Sequence, residues 1–333
     1  MLTTTYFDAL STLSATPALK SAVTIGNFDG CHLGHQALVR MTTSFAKEQA
    51  ATATVVTFTP HPDCFFRGDQ AVPLLFTQEQ KERAFEELGL DRQVLQQFDA
   101  DFSKVDHDRF YEDYLRRRLG LVALTVGPHF RFGKGRGGDV DFLRECGRRD
   151  GIMVAIDPGV TFDGETISSS RVRQMLTETG DAATAAAMLG RPYCLEGVIE
   201  RGDQLGRTLG VPTANLGQVH QLVPRFGVYA GYIWLAPQSG PTEARPTIVT
   251  RDARVIRAVF GIGVRPSVQT QVRPALRIEG HLLDGVYGDN ALYGYRAGFY
   301  LTHWLRGEET FPSLETLTAQ MQADIAKART LLF

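Results

Sequence analysis

The sequence predicts an α/β chain of two domains: a parallel sheet wrapped by helices, then a small antiparallel β-barrel or sandwich closed by a helix. Three observations predict it. From Ala22 to about Met188, short apolar runs alternate with helical periodicity, the pattern of strands joined by crossover helices. After Gly190-Arg191-Pro192-Tyr193 the texture changes to glycine, proline and short alternating runs, as in small antiparallel domains. The 333 residues are long for one core and suit two. A boundary near 187 follows, dividing the chain into 1–186 and 187–333.

In the first part, Val23 to Ile25 ends an apolar run at Gly26, and Ala37, Leu38, Met41, Phe45 and Ala46 then recur at helical spacing. Ala53 to Phe58 reads as a buried strand rich in β-branched residues. Thr77 with Gln80 predicts a capping box for a helix through Leu88 that Gly89 ends. Phe110 to Leu119 reads as a helix, Leu121 to Val126 as a strand, Asp139 to Arg149 as a helix and Ile152 to Ile156 as a strand. In the second part, strands are expected at Leu195 to Ile199, Val228 to Leu235, Arg257 to Val264, Leu276 to Leu283 and Ala297 to Tyr300. Residues 236–254 read as a solvated hairpin connection. Ser313 to Leu332 reads as the closing helix, with Leu314, Leu317, Met321 and Ile325 as its apolar stripe.

Composition excludes several classes. With 35 basic against 37 acidic residues, no charge excess points to nucleic acid or a membrane surface. No run reaches the roughly 18 apolar residues of a membrane helix, and the N-terminus lacks a secretory pattern. Cys31, Cys64, Cys146 and Cys194 are scattered without metal-binding spacing, which suits thiols in a reducing cytoplasm.

Two segments carry the chemistry. Gly26-Asn27-Phe28-Asp29-Gly30-Cys31-His32-Leu33-Gly34-His35 is a strand, tight loop and helix start, where backbone N–H groups and the helix dipole favour a phosphate. His32 and His35 add donors; read alone, they are equally ordinary loop histidines, and no third ligand nearby suggests zinc. Ile167-Ser168-Ser169-Ser170-Arg171-Val172-Arg173 offers hydroxyls and cations that are either helix caps and a solvated face or, with the histidine loop, a clamp on pyrophosphate.

These segments, with Thr57-Phe58-Thr59-Pro60-His61-Pro62, resemble the adenylyltransferase half of the bacterial bifunctional riboflavin kinase/FMN adenylyltransferases. Gly202-Asp203-Gln204-Leu205-Gly206-Arg207-Thr208-Leu209-Gly210-Val211-Pro212-Thr213-Ala214-Asn215 resembles that family's kinase signature, and Gly227-Val228-Tyr229-Ala230, Leu292-Tyr293-Gly294 and Arg306 to Ser313 follow in family order. The resemblance implies a Rossmann-like nucleotidyltransferase domain and a riboflavin kinase-like barrel. It implies phosphorylation of riboflavin to FMN and adenylylation of FMN to FAD, each with ATP, with Mg²⁺ held by Thr213 and Asn215. Glu279 matches the catalytic glutamate of the kinase, although strand periodicity alone would leave it facing solvent. His32, His35 and Arg173 match catalytic positions of the transferase. Gly26, Asn27, Phe28, Asp29, Gly30, Ser168, Ser169 and Ser170 are implied to bind nucleotide or flavin there. Gly202, Gly206, Arg207 and Gly210 are implied to bind nucleotide in the kinase. The partners implied are riboflavin, FMN and ATP, with a monomer or weak homo-oligomer in the cytoplasm.

Four positions depart from the family's usual residues. His129 stands for Asn or Asp at a flavin and phosphate position, and Ser170 for Thr. Gly261 stands for Asn, and Gly280 for a larger residue beside Glu279. Two other readings stay open: a chain that is mainly a riboflavin kinase because His129 weakens the transferase, and a non-catalytic flavin-binding regulator.

Overall fold

The computed structural model describes residues 1–7, 20–202, 213–236, 255–264, 276–284 and 292–333. The chain divides into two compact units, Met1–Ser168 and Ser169–Phe333. Of the expected connection at 236–254, Ala236 ends a strand and 237–254 lies outside the described residues.

The first unit is built on six parallel strands: β1 (Thr3–Tyr6), β2 (Ser21–Ile25), β3 (Thr52–Thr59), β4 (Arg92–Gln97), β5 (Leu121–Val126) and β6 (Met153–Ile156), in the order β1-β4-β3-β2-β5-β6. β1 and β4 are absent from the sequence reading. Only Val94 and Leu95 are apolar in β4, yet Gln93 is wholly buried because the strand lies between β1 and β3. All of β2 is buried, and the Thr24 hydroxyl donates to the Thr125 carbonyl of β5 at 3.0 Å.

The crossover helices begin and end on local signals. The helix α1 (Leu33–Glu48) takes His32 as its N-cap, and α2 (Pro62–Arg67) takes His61. In α3 (Gln78–Glu87) the predicted box is present: Gln80 N–H donates to Thr77 Oγ1 at 3.1 Å and Thr77 N–H to Gln80 Oε1 at 2.9 Å. The helix expected from Phe110 starts earlier, as α4 (His107–Arg109) capped by Asp106, and runs on with π-type bonding through Phe110–Arg118. Asp139 caps α5 (Val140–Asp150), which left-handed Gly151 ends. The buried face of α1 runs through Leu38, Val39, Thr42 and Ala46; Ala37, Met41 and Phe45 of the predicted stripe are only half-buried.

The sheet order sets the site. From β2 the chain moves outward to β3 and β4, then returns to β5 on the other side of β2. That reversal is a topological switch point, and in open α/β sheets ligands bind outside the carboxyl ends of the strands at such a point.

The second unit opens on α6 (Ser169–Gln174) and α7 (Ala182–Leu189), after a two-residue hairpin (β7, Thr161–Phe162; β8, Glu165–Thr166) that closes the first. Six antiparallel strands then form a closed barrel, resolving the barrel-or-sandwich alternative. They are β9 (Tyr193–Glu200), β10 (Ala214–Gly217), β11 (Gly227–Ala236), β12 (Ile256–Val264), β13 (Leu276–Leu282) and β14 (Arg296–Gly307). Closure removes the exposed sheet edges. β10 escapes the sequence reading because it is four residues long.

Phe260 and Phe299 stack at 4.6 Å within the barrel, and a side chain at Gly280 would sit 3.0 Å from one ring and 3.1 Å from the other. Gly280 therefore makes room for the core. A second apolar cluster, including Tyr232, Trp234, Leu305, Ala328 and Leu332, joins the barrel to the closing helix α8 (Leu314–Leu331). Of the predicted stripe of α8, Leu317 and Met321 are half-buried and Ile325 packs against that cluster, whereas Leu314 is 60% exposed; the fully buried positions are Asp324 and Ala328. Asp324 is buried because Arg306 of β14 reaches it with two guanidinium nitrogens, at 2.9 and 3.1 Å.

Candidate active sites

The first site grows from the turn between β2 and α1. Gly26 N–H bonds the Val56 carbonyl at 3.1 Å, and Phe28, Gly30 and Cys31 then adopt left-handed backbone angles. Glycine accepts this freely; phenylalanine and cysteine are strained there and are held by packing. Phe28 is 1% exposed, its ring edge-on to Phe85 at 5.5 Å and to His35 at 5.1 Å. A side chain at Gly26 would press within 3.3 Å of that ring. The buried Asp29 carboxylate accepts the Leu75 N–H at 2.9 Å and the Phe76 N–H at 3.1 Å. These partners make Phe28 and Asp29 the anchors that shape the turn.

The two histidines are brought together. Their rings stack at 3.6 Å with planes 19° apart, and His32 Nδ1 accepts the His35 backbone N–H at 3.3 Å. A neutral imidazole accepting at Nδ1 carries its proton on Nε2, which makes Nε2–H the donor. Burial lowers the His32 pKa to about 4. Burial also pushes His35 well below its ordinary value, with His32 and Lys81 acting in the same direction. Both rings are thus uncharged donors near neutral pH. A side chain at Gly34 would meet the His32 ring at 3.2 Å and lie 3.9 Å from the Ile167 carbonyl. Ile167 precedes Ser168 in the chain. Ser168 closes the first unit, half-buried; Ser169, Ser170 and Arg173 lie on α6 of the second.

The loop after β5 holds His129, which is solvent-exposed. It is followed by Phe130 and Phe132, whose rings stack at 5.5 Å. Two features here escape the sequence reading. Phe65 and Phe66 pack on Phe98 at 5.5 and 5.6 Å, where β3 and β4 end, and Phe66 remains 67% exposed. The signal was an aromatic pair separated by two residues from Pro60-His61-Pro62. The second is Lys81, only 7% exposed, whose Nζ donates to the Asn27 carbonyl at 3.4 Å. Its signal was a cation on the helical face of Ala84 and Phe85.

The second site is on the barrel's outer surface. Asn215 of β10 is the register partner of Glu279 on β13, and Gly261 of β12 is its partner on the other side. Opposed residues on neighbouring antiparallel strands carry their side chains on the same face. Glu279 Oε2 accepts from Arg277 Nη2 at 2.6 Å. A side chain at Gly202 would collide with the Asn215 amide, which places that glycine against the second ligand candidate. Among the described residues, nothing lies within 4 Å of where a side chain on Gly261 would begin. Thr213 is half-buried just before β10. Gly206, Arg207 and Gly210 lie outside the described residues. Among the described residues, no three His, Cys, Asp or Glu side chains converge on a common metal position, and no helix is long and apolar enough to cross a membrane.

Comparisons with known proteins divide along the same line. A family model described as FAD synthetase matches residues 15–171, and one described as riboflavin kinase matches residues 189–332. The bifunctional riboflavin kinase/FMN adenylyltransferase of Escherichia coli (strain K12) is 34% identical over 317 residues, 95% of this chain and 94% of that one. The protein of the same description from Pseudomonas fluorescens is 36% identical over 308 residues, 92% of each chain. A crystal structure described as a macrolide-efflux protein from Streptococcus pneumoniae matches with a TM-score of 0.82 over 98% of both chains at 24% identity, a likeness of fold alone.

Proposed function

The chain belongs to the family of bifunctional riboflavin kinase/FMN adenylyltransferases, and from that membership we propose how its residues divide the two reactions. The protein phosphorylates riboflavin to FMN and adenylylates FMN to FAD, with ATP as the co-substrate of both steps.

In the adenylyl step an oxygen of the FMN phosphate attacks the α-phosphorus of ATP, and the bond to pyrophosphate breaks. The nucleophile is already an anion, so the protein's work is placement and stabilisation of charge. His32 and His35 donate to the α-phosphate. Asn27 and Gly30, held by the anchors Phe28 and Asp29, present the turn that starts at Gly26 to the nucleotide. Ser168, Ser169, Ser170 and Arg173 take the departing pyrophosphate, an assignment carried by the Ser-Ser-Ser-x-x-Arg pattern. The flavin ring rests on the aromatic surface of Phe65, Phe66 and Phe98, with His129 at the phosphate end.

In the kinase step Glu279 orients the 5′-hydroxyl of riboflavin and takes its proton as the oxygen attacks the γ-phosphorus, displacing ADP. Gly202, Gly206, Arg207 and Gly210 form the loop along the phosphates. The Thr213 hydroxyl and Asn215 amide are hard oxygen donors of the type that holds Mg²⁺ together with substrate phosphates, and that ion would neutralise charge on the transferred group. We place the chain in the cytoplasm, as a monomer or weak homo-oligomer, on the strength of scattered cysteines and balanced charge.

The observation that carries this division is the pairing of Asn215 with Glu279 inside the second unit, while the histidine pair lies wholly inside the first. Incubation with riboflavin, ATP and Mg²⁺, followed by separation of the flavins, tests it. FAD is expected; FMN alone would remove the transferase assignment, and unchanged riboflavin would leave only a flavin binder.

A further inference from the structure

Among the described residues, Lys81 is a buried cation with no ion pair. It lies in the first turn of α3, and its one hydrogen bond among the described residues is the 3.4 Å contact with the Asn27 carbonyl. An ammonium carries three donors, so two protons of a nearly inaccessible group have no partner there. Burial depresses its proton affinity, against the opposing charges of Asp29, Cys31 and Glu82. The Asp29 carboxylate is itself engaged by Leu75 and Phe76. A methionine would fill the same space without the cost of desolvating a charge. What distinguishes the position is its neighbour: the Lys81 charge acts on His35, whose buried Nδ1 has no partner among the described residues.

We propose that Lys81 is a positioning residue of adenylyl transfer: its ammonium ties the Asn27 turn in place and lends positive charge to the pocket of His32 and His35, where the α-phosphate of ATP reacts. The inference rests on the adenylyltransferase reading of that pocket. Two effects follow from one charge. The tether holds the turn in register with the histidines, and the field adds to burial and to His32 in opposing protonation of His35. His32 acts on His35 in the same sense as Lys81, while Asp29, Cys31 and Glu82 face Lys81 itself.

The test is FAD formation from FMN and ATP by the full chain carrying K81M, K81Q or K81R, followed across the acidic limb of the pH profile. K81M and K81Q are expected to lower kcat by roughly tenfold to a hundredfold, with a smaller change in KM for ATP. Their acidic limb should move to higher pH, because His35 loses the cation that opposes its protonation. K81R keeps the charge and should retain most of kcat and the native limb. Thermal unfolding and FMN formation by the same preparations establish that each variant is folded; should K81M not fold, K81Q carries the comparison. Native kcat and an unmoved limb in K81M or K81Q would overturn the proposal. So would equal losses in all three variants with an unmoved limb, since packing alone would then explain them. Absence of FAD formation by the native chain would instead refute the adenylyltransferase reading and Lys81's role with it.

Discussion

Asn215 and Glu279 are register partners on neighbouring antiparallel strands, which sets a side-chain amide beside a carboxylate on one face of the barrel. They are far apart in sequence, and strand pairing is what unites them. If Glu279 is the base, E279Q removes proton acceptance while keeping shape and hydrogen bonding. FMN formation is expected to fall by about 10²- to 10⁴-fold, with FAD formation from supplied FMN retained. The rates of the two steps, measured separately, check this; an unchanged kinase rate refutes the role.

The histidine pair makes the first unit sensitive to acid. His32 titrates near 6.5 when unfolded and is lowered to about 4 in the fold. Below about pH 6.5 the unfolded chain therefore binds a proton that the folded chain does not, and stability falls as pH drops through that window. From this residue alone the loss between pH 7 and pH 5 is roughly 2 kcal/mol, and His35 adds to it in the same direction. Urea unfolding at both pH values should show this slope, flattened in H32N. An equal slope in H32N would show that His32 is not buried in its uncharged form.

Arg306 and Asp324 clamp the closing helix to β14, with the Asp324 side chain only 7% exposed. Removing one partner strands a buried charge. D324A is expected to destabilise the second unit by about 3 kcal/mol, and the double change R306M/D324L by markedly less. Denaturant midpoints of the two variants decide the matter.

The proposed boundary at 187 falls inside α7, which buries Ala182, Ala185, Met188 and Leu189. Upstream of it, Arg225 N–H donates to the Leu176 carbonyl at 2.8 Å and Arg225 Nη1 to the Glu178 carbonyl at 3.1 Å, and Gly180 packs on the Trp304 ring. Residues 169–333 should therefore form a sturdier riboflavin kinase than residues 187–333. The melting temperatures of the two fragments should differ by at least about 5 °C. Equal values would mean that α6 and α7 contribute nothing to the barrel.

By itself the sequence determined whatever depends on neighbours along the chain. The Thr77–Gln80 capping box, the strand–loop–helix at Gly26 to His35 and the change of texture after Gly190 are local patterns, and the structure carries all three. Only the tertiary structure decided which distant groups meet and which polar groups are buried. Periodicity reports a segment's own apolar face. It gave no account of β4, whose Gln93 is buried by strands on both sides, or of Asp324, buried because Arg306 neutralises it. The same limit hid Lys81, a charge in an apolar position that the Asn27 turn and His35 explain. The partnership of Asn215 and Glu279 was hidden too, because register across a closed barrel is set by the packing of every strand together.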